Sequence, residues 1–95
     1  FLNIPYSPVL KMLDNDIAVA LATDYNPGST PSGNMLFVNS LACVKMRMTP
    51  SQALNATTIN GAYAMELGDE LGSITIGKKA NIITAKKLGL KEFYN

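Results

Sequence analysis

Histidine and tryptophan are absent from the 95 residues, and there is a single cysteine. Without histidine, the chain by itself offers no imidazole for general acid–base work and none for a metal. One thiol excludes an internal disulfide framework. Charge of one sign is lacking too. Eight basic and seven acidic side chains leave a net +1, with no basic excess to attract nucleic acid or an acidic membrane surface. The same balance excludes an acidic disordered tail. No apolar run approaches the roughly 20 residues needed to cross a bilayer. Phe1-Leu2-Asn3-Ile4-Pro5 has neither an initiator Met nor a basic n-region, so it does not read as a signal peptide.

What is present is apolar: 47% of the residues, against 16% charged. A chain this short buries roughly 60–65% of the surface it exposes when unfolded. Few charges are available to cover an outside. Two readings follow: a compact domain with a large core, or a piece of a larger protein whose apolar faces meet partners elsewhere. The missing Met favours the second.

Ser7 is placed to N-cap a short helix with Pro8 at its first position. Val9, Leu10, Met12 and Leu13 form its apolar face, and Asp14-Asn15-Asp16 ends it. Ile17 to Ala22 is continuously apolar, the pattern of a strand covered on both faces in a parallel sheet. Met35 to Met48 is a helix apolar nearly all round and should be buried on most sides. Thr49-Pro50-Ser51-Gln52 is a capping-box start. Its helix is expected to run through Ile59 toward Met65 and Leu67, with Gly68 as the stop. Residues 71–84 read as strand, Gly-Lys turn, strand, and 85–95 as loop. The order predicts an α/β architecture.

Between the apolar hexapeptide and the long helix lies Thr23-Asp24-Tyr25-Asn26-Pro27-Gly28-Ser29-Thr30-Pro31-Ser32-Gly33-Asn34. Such a loop presents backbone N–H groups, amides and hydroxyls. Asp24 directly follows the expected strand, at the edge where barrels and open α/β sheets build active sites. A carboxylate there can bind a metal or accept a proton from a metal-activated water. The plainer reading makes it a loop cap, or the partner of Asn26 in an Asx turn. Pattern alone leaves both open, as it does for Asn26, Gly28, Ser29 and Thr30 as substrate donors or as turn residues. Cys43 falls on an apolar stripe and reads as an inert packed thiol. The five methionines read as core filler, and Lys78-Lys79 as a solvated turn.

Ala20-Leu21-Ala22-Thr23-Asp24-Tyr25-Asn26-Pro27-Gly28-Ser29 resembles the signature of the imidazolonepropionase family, within the metal-dependent amidohydrolases. Pro5-Tyr6-Ser7-Pro8, Met48 to Leu54 and Thr57 to Ala62 resemble the segments that flank it in that family. Leu71 to Ile74 and Gly77 to Ile82 resemble a β pattern shared across the superfamily, with Asn81 where Asp is usual. The resemblance implies the C-terminal portion of a (β/α)8 barrel over 1–70. It implies strands of a small flanking β-sandwich and a tail over 71–95. It implies that Asp24 is a catalytic residue and a ligand of one zinc or iron ion, with Asn26, Gly28 and Ser29 contacting substrate. The implied reaction is hydrolytic opening of the 4-imidazolone-5-propanoate ring to N-formimino-L-glutamate in histidine degradation. The implied setting is a cytoplasmic homo-oligomer, a dimer in the parent, acting on a small molecule without nucleic acid or membrane. The family's imidazole ligands and its propionate-binding residue lie outside these residues, so the 95-residue chain alone is expected to be inactive. A fragment of another cyclic amidohydrolase or deaminase, or a non-catalytic assembly module, is the alternative. If the chain folds alone, an oligomer hiding 17–22 and 35–48 is expected.

Overall fold

The computed structural model describes residues 5–84. Four helices follow in order: α1 Val9–Asp14, α2 Met35–Val44, α3 Pro50–Thr57 and α4 Ile59–Ala64. No strand is present among the described residues, which hold a single antiparallel bridge, Asn26 to Thr30.

α1 begins one residue later than expected. Pro8 has φ −76° and ψ 65°, and the Val9 N–H donates to the Ser7 carbonyl at 2.8 Å. This is an inverse γ-turn, so Pro8 is the cap and Ser7 lends no side-chain bond. The end is as read. Asp16 is left-handed (φ 57°), the Ile17 N–H reaches the Met12 carbonyl at 2.9 Å, and Asp16 N–H reaches Leu13 at 3.1 Å. That pair of bonds is a Schellman motif.

α2 is capped by Asn34, whose Oδ1 accepts from the N–H of Leu36 (3.0 Å) and Phe37 (3.2 Å). It stops at Val44, short of the expected Met48. Arg47 turns left-handed (φ 59°), and Met48 N–H donates back to Ala42 at 3.0 Å, which folds Met48 into the core. Burial of α2 on most sides is not what the structure has. Ala42 is fully buried, yet Leu36 and Val44 are 74% and 73% exposed. Among the described helices only α3 packs on it. Hydropathy reports that a face wants covering and is silent about what covers it.

α3 starts on the expected capping box: Gln52 N–H donates to Thr49 Oγ1 at 3.2 Å and Thr49 N–H to Gln52 Oε1 at 2.9 Å, with Pro50 at the first position. The single long helix expected from Pro50 is two helices. The break is Thr58, at φ −118° and ψ −89°. Two adjacent β-branched residues sit there, and their hydroxyls bond backward: Thr58 Oγ1 to Leu54 O at 2.6 Å, Thr57 Oγ1 to Ala53 O at 3.1 Å. Such back-bonding bends helices.

Gly68 is not the stop of α4. Glu66 is, in the left-handed region at φ 61°, with Leu67 N–H on Ala62 O (2.8 Å) and Glu66 N–H on Tyr63 O (3.0 Å), a second Schellman motif. Glutamate is a poor choice for both its Cβ and its charge at the negative helix end. In the full-length protein, Glu66→Gly is therefore expected to stabilise by about 1 kcal/mol, read as a raised midpoint in urea unfolding. No gain would mean that this turn does not persist in solution.

The core gathers Val9, Val19, Ala42, Met48, Ala53 and Ala56, with Met12, Leu13, Leu21, Cys43 and Met46 packed against it. Methionine as core filler holds for Met12, Met46 and Met48, whereas Met65 is exposed. Half of the fully buried set is alanine, so this core is thin. The apolar hexapeptide 17–22 is neither helical nor laddered, and only Val19 in it is buried. The strand–turn–strand expected over 71–84 keeps its turn, Lys78 N–H to Thr75 O at 3.1 Å with Gly77 at φ 93°, and not its strands. Ile74, Ile76 and Ile83 stand in solvent. A strand exists only through a neighbour's hydrogen bonds, and no described segment supplies them. Lys78 is less solvated than read: its Nζ donates to Ser73 Oγ at 2.9 Å and lies 3.4 Å from Leu71 O. The expected tail loop, 85–95, lies outside the described residues.

Candidate functional site

The loop 23–34 is organised by one side chain. Asn26 Oδ1 accepts from the backbone N–H of Gly28 (3.0 Å) and Ser29 (2.8 Å) and from Ser29 Oγ (3.1 Å). Its Nδ2 donates to Asp24 O (2.7 Å) and Ser29 Oγ (3.0 Å). Backbone bonds between Asn26 and Thr30, at 2.8 and 3.1 Å, close the turn around it. This is an Asx turn on Pro27-Gly28. A methyl added at Gly28 would stand 3.3 Å from Asn26 Oδ1, so the smallest residue suits that place.

Asp24 enters this turn in the left-handed region, at φ 52°. Aspartate visits it more readily than most residues. Tyr25 N–H donates to Thr23 Oγ1 at 3.2 Å, which steadies the bend. The Asp24 side chain is exposed, and no hydrogen bond or ion pair from a described residue reaches its carboxylate. The loop thus spends the polar atoms of Asn26 and Ser29 on itself and presents one carboxylate at its base.

Two shallow depressions mark the surface. One is lined by residues that include Tyr6, Val9, Lys11, Lys45 and Arg47, the other by Ala18, Val19, Ala20, Asn60, Tyr63 and Ala64. Asp24 lines neither.

Among the described residues no three of His, Cys, Asp and Glu come together as a metal cluster. A transition-metal centre wants three or four such donors. The described residues do not fit one by themselves: Asp24 offers one carboxylate, with no second such donor grouped beside it among them.

Sequence reading missed two connections that hold the site. Asn34 fixes where the loop ends and α2 begins. Asn60 Nδ2, on α4, donates to the Val19 carbonyl at 2.8 Å, 41 positions away, and so ties the segment before Asp24 to the helices. The available signal was an amide inside a helix, where it is a poor former without other work.

Comparison with known proteins bears on what this loop belongs to. The chain is 62% identical over 88 residues to the imidazolonepropionase of Christiangramia forsetii, covering 93% of this chain and 21% of that protein. It is 51% identical over 85 residues to that of Parabacteroides distasonis, covering 90% and 20%. To the imidazolonepropionase of Streptococcus pyogenes serotype M49 it is 49% identical over 77 residues, 81% of this chain and 18% of that one. The chain therefore spans about a fifth of the length of the curated relatives it matches. The model of the amidohydrolase family matches residues 4–93. With nearly all of its length so matched, this chain belongs to the amidohydrolase family.

Proposed function

We propose that this chain is part of an imidazolonepropionase, and that Asp24 contributes to hydrolysis of 4-imidazolone-5-propanoate to N-formimino-L-glutamate in histidine degradation. The observation that carries the reading is one exposed carboxylate at a self-organised Asp-Tyr-Asn-Pro-Gly-Ser turn, in a chain 62% identical to an enzyme of that name. The water oxygen bonds to the ring carbonyl carbon and the ring C–N bond breaks, while a carboxylate beside it accepts the water's proton and returns it to the departing ring nitrogen. Asp24 is assigned that role. It is further assigned one ligand position on a zinc or iron ion whose other donors lie outside these 95 residues. No step is assigned to an ion on this chain alone. Asn26 and Ser29 act on substrate through the loop they hold. Contact with substrate would trade their mutual bonds for bonds to it, and Gly28 leaves the close approach open.

The proposed frame is the last strand and outer helices of a (β/α)8 barrel over 1–70 and β-sandwich strands over 71–95. The unpaired hexapeptide 17–22 and the solvent-facing Ile74, Ile76 and Ile83 are then sites where neighbouring strands pair. The exposed face of α2 is covered in the same way. A cytoplasmic homo-oligomer acting on a small molecule suits the near-neutral charge. No helix among the described residues is long and apolar enough to cross a membrane.

Product analysis on the full-length protein tests the reaction. Ring opening to N-formimino-L-glutamate without ammonia is expected. Release of ammonia from a cyclic amidine in its place would make the protein a deaminase of the same family. The isolated 95-residue chain is expected to give no turnover with added zinc or iron, and to sediment as self-associated material because Leu36, Phe37, Val44 and Leu54 lie open. A monodisperse, cooperatively melting monomer would favour a self-sufficient binding module.

A further inference from the structure

Asp24 is the last residue of a segment that meets the core through Val19 and Leu21. The segment is bracketed by two left-handed aspartates, Asp16 and Asp24. Val19 is buried, while Ala18 and Ala20 are small and exposed, and the space between them and Tyr63 and Ala64 is an open depression. Val19 and Leu21 seat one face of the segment on the core, and two hydrogen bonds tie its backbone to the helices. Leu21 N–H donates to Ala56 O at 3.0 Å, and Asn60 Nδ2 donates to Val19 O at 2.8 Å. The first is backbone to backbone and survives any side-chain change. The second depends on one amide.

Beyond Leu21 the chain runs three residues to Asp24, at most about 10 Å. Over that stretch the hydrogen bonds of Thr23 and Asp24 stay inside the loop. A shift at residues 19–21 therefore moves the base of the loop that carries the carboxylate. Misplacing a reacting group by about 1 Å can cost on the order of 10²-fold in rate.

We propose that Asn60 is a positioning residue for Asp24: its amide, held on α4, sets the orientation of the segment that aims the carboxylate. The proposal rests on the role given to Asp24 above. It separates Asn60 from Thr57, whose hydroxyl makes a comparable link to Asn39 Oδ1 at 3.0 Å but joins α3 to α2, away from the segment.

The test uses the full-length protein with its metal and 4-imidazolone-5-propanoate. Asn60→Ala is expected to lower kcat by about 10–100-fold, the range found for groups that orient a reacting one, with KM changed by less than about twofold and the melting temperature close to wild type. Asn60→Gln, which keeps an amide donor, is expected to recover most of the rate. Asn60→Asp, of the same shape without the donor, is not. Should Asn60→Ala fold poorly, the Gln and Asp variants decide, compared per mole of folded protein. A kcat unaffected in Asn60→Ala, or Gln and Asp variants of equal rate, overturns the proposal. Asp24→Asn run alongside keeps the two claims apart. Full activity in that variant removes the role of Asp24 itself, whereas activity lost in Asp24→Asn but unaffected in Asn60→Ala removes only the positioning role.

Discussion

Asp24→Gly in the full-length protein is expected to lower the ring-opening rate by about 10²–10⁴-fold while leaving the fold as stable as wild type or slightly more so. The two halves of that result have separate causes. The carboxylate carries the proposed chemistry: it is the only charged group the loop presents, and no hydrogen bond or ion pair from a described residue reaches it. The backbone is the cost: at φ 52° alanine pays about 1–2 kcal/mol that glycine does not, and aspartate pays part of it. Removing the side chain thus abolishes function and relieves strain together. Asp24→Ala keeps the strain and is expected to melt lower than Asp24→Gly, with the same lost rate. Thermal melting and initial rates on the same samples check both halves. A Gly variant that melts well below wild type would mean that the carboxylate holds the loop rather than serving a reaction.

Gly72→Ala is expected to destabilise the full-length protein by about 2–5 kcal/mol, the cost of a left-handed alanine together with overpacking. Gly72 has φ 96°, and an added Cβ would lie 2.8 Å from Ala62 Cβ, 2.9 Å from Ile59 Cα and 3.2 Å from Thr58 O. Two of those three atoms are backbone in the first turn of α4, pinned by the kink at Thr58, so they cannot swing aside. Gly77→Ala is the control. Its φ is 93°, and nothing lies within 4 Å of the built Cβ, so only the conformational cost of about 1–2 kcal/mol applies. Urea unfolding of the two variants separates packing from backbone. Equal losses would mean that 71–72 do not rest on α4 in solution.

Signals that are local in the chain were legible from the residues. Thr49 and Gln52 satisfy each other's backbone within one turn, so no distant contact can overrule them. The end of α1 at Asp14-Asn15-Asp16 is local in the same sense. Signals that compete were not. Thr57-Thr58 in an otherwise good helix can be tolerated or can bond backward, and here both hydroxyls bond backward. Glu66 outranks Gly68 as the stop because Gly68 is buried against Tyr63, where a Cβ would come within 2.5 Å of the ring. Its smallness is used for packing. The strands expected over 17–22 and 71–84 are absent among the described residues for a different reason: apolarity records a need for neighbours, and pairing is a property of two segments. At the site, the loop and its turn on Pro27-Gly28 could be read, but the Asx turn expected of Asp24 with Asn26 is made by Asn26 itself, with Gly28 and Ser29. The link from Asn60 to Val19 could not, because nothing in the spacing of 41 residues announces it.

The central claim, that Asp24 is one corner of a metal-dependent hydrolytic centre completed outside this chain, is tested most directly by X-ray absorption at the metal edge of the full-length protein, wild type against Asp24→Asn. The account predicts zinc or iron at one ion per chain in the wild type. In the variant it predicts an altered first coordination shell, with metal retained about tenfold or more weakly. Identical spectra and identical metal content in the two proteins would contradict it.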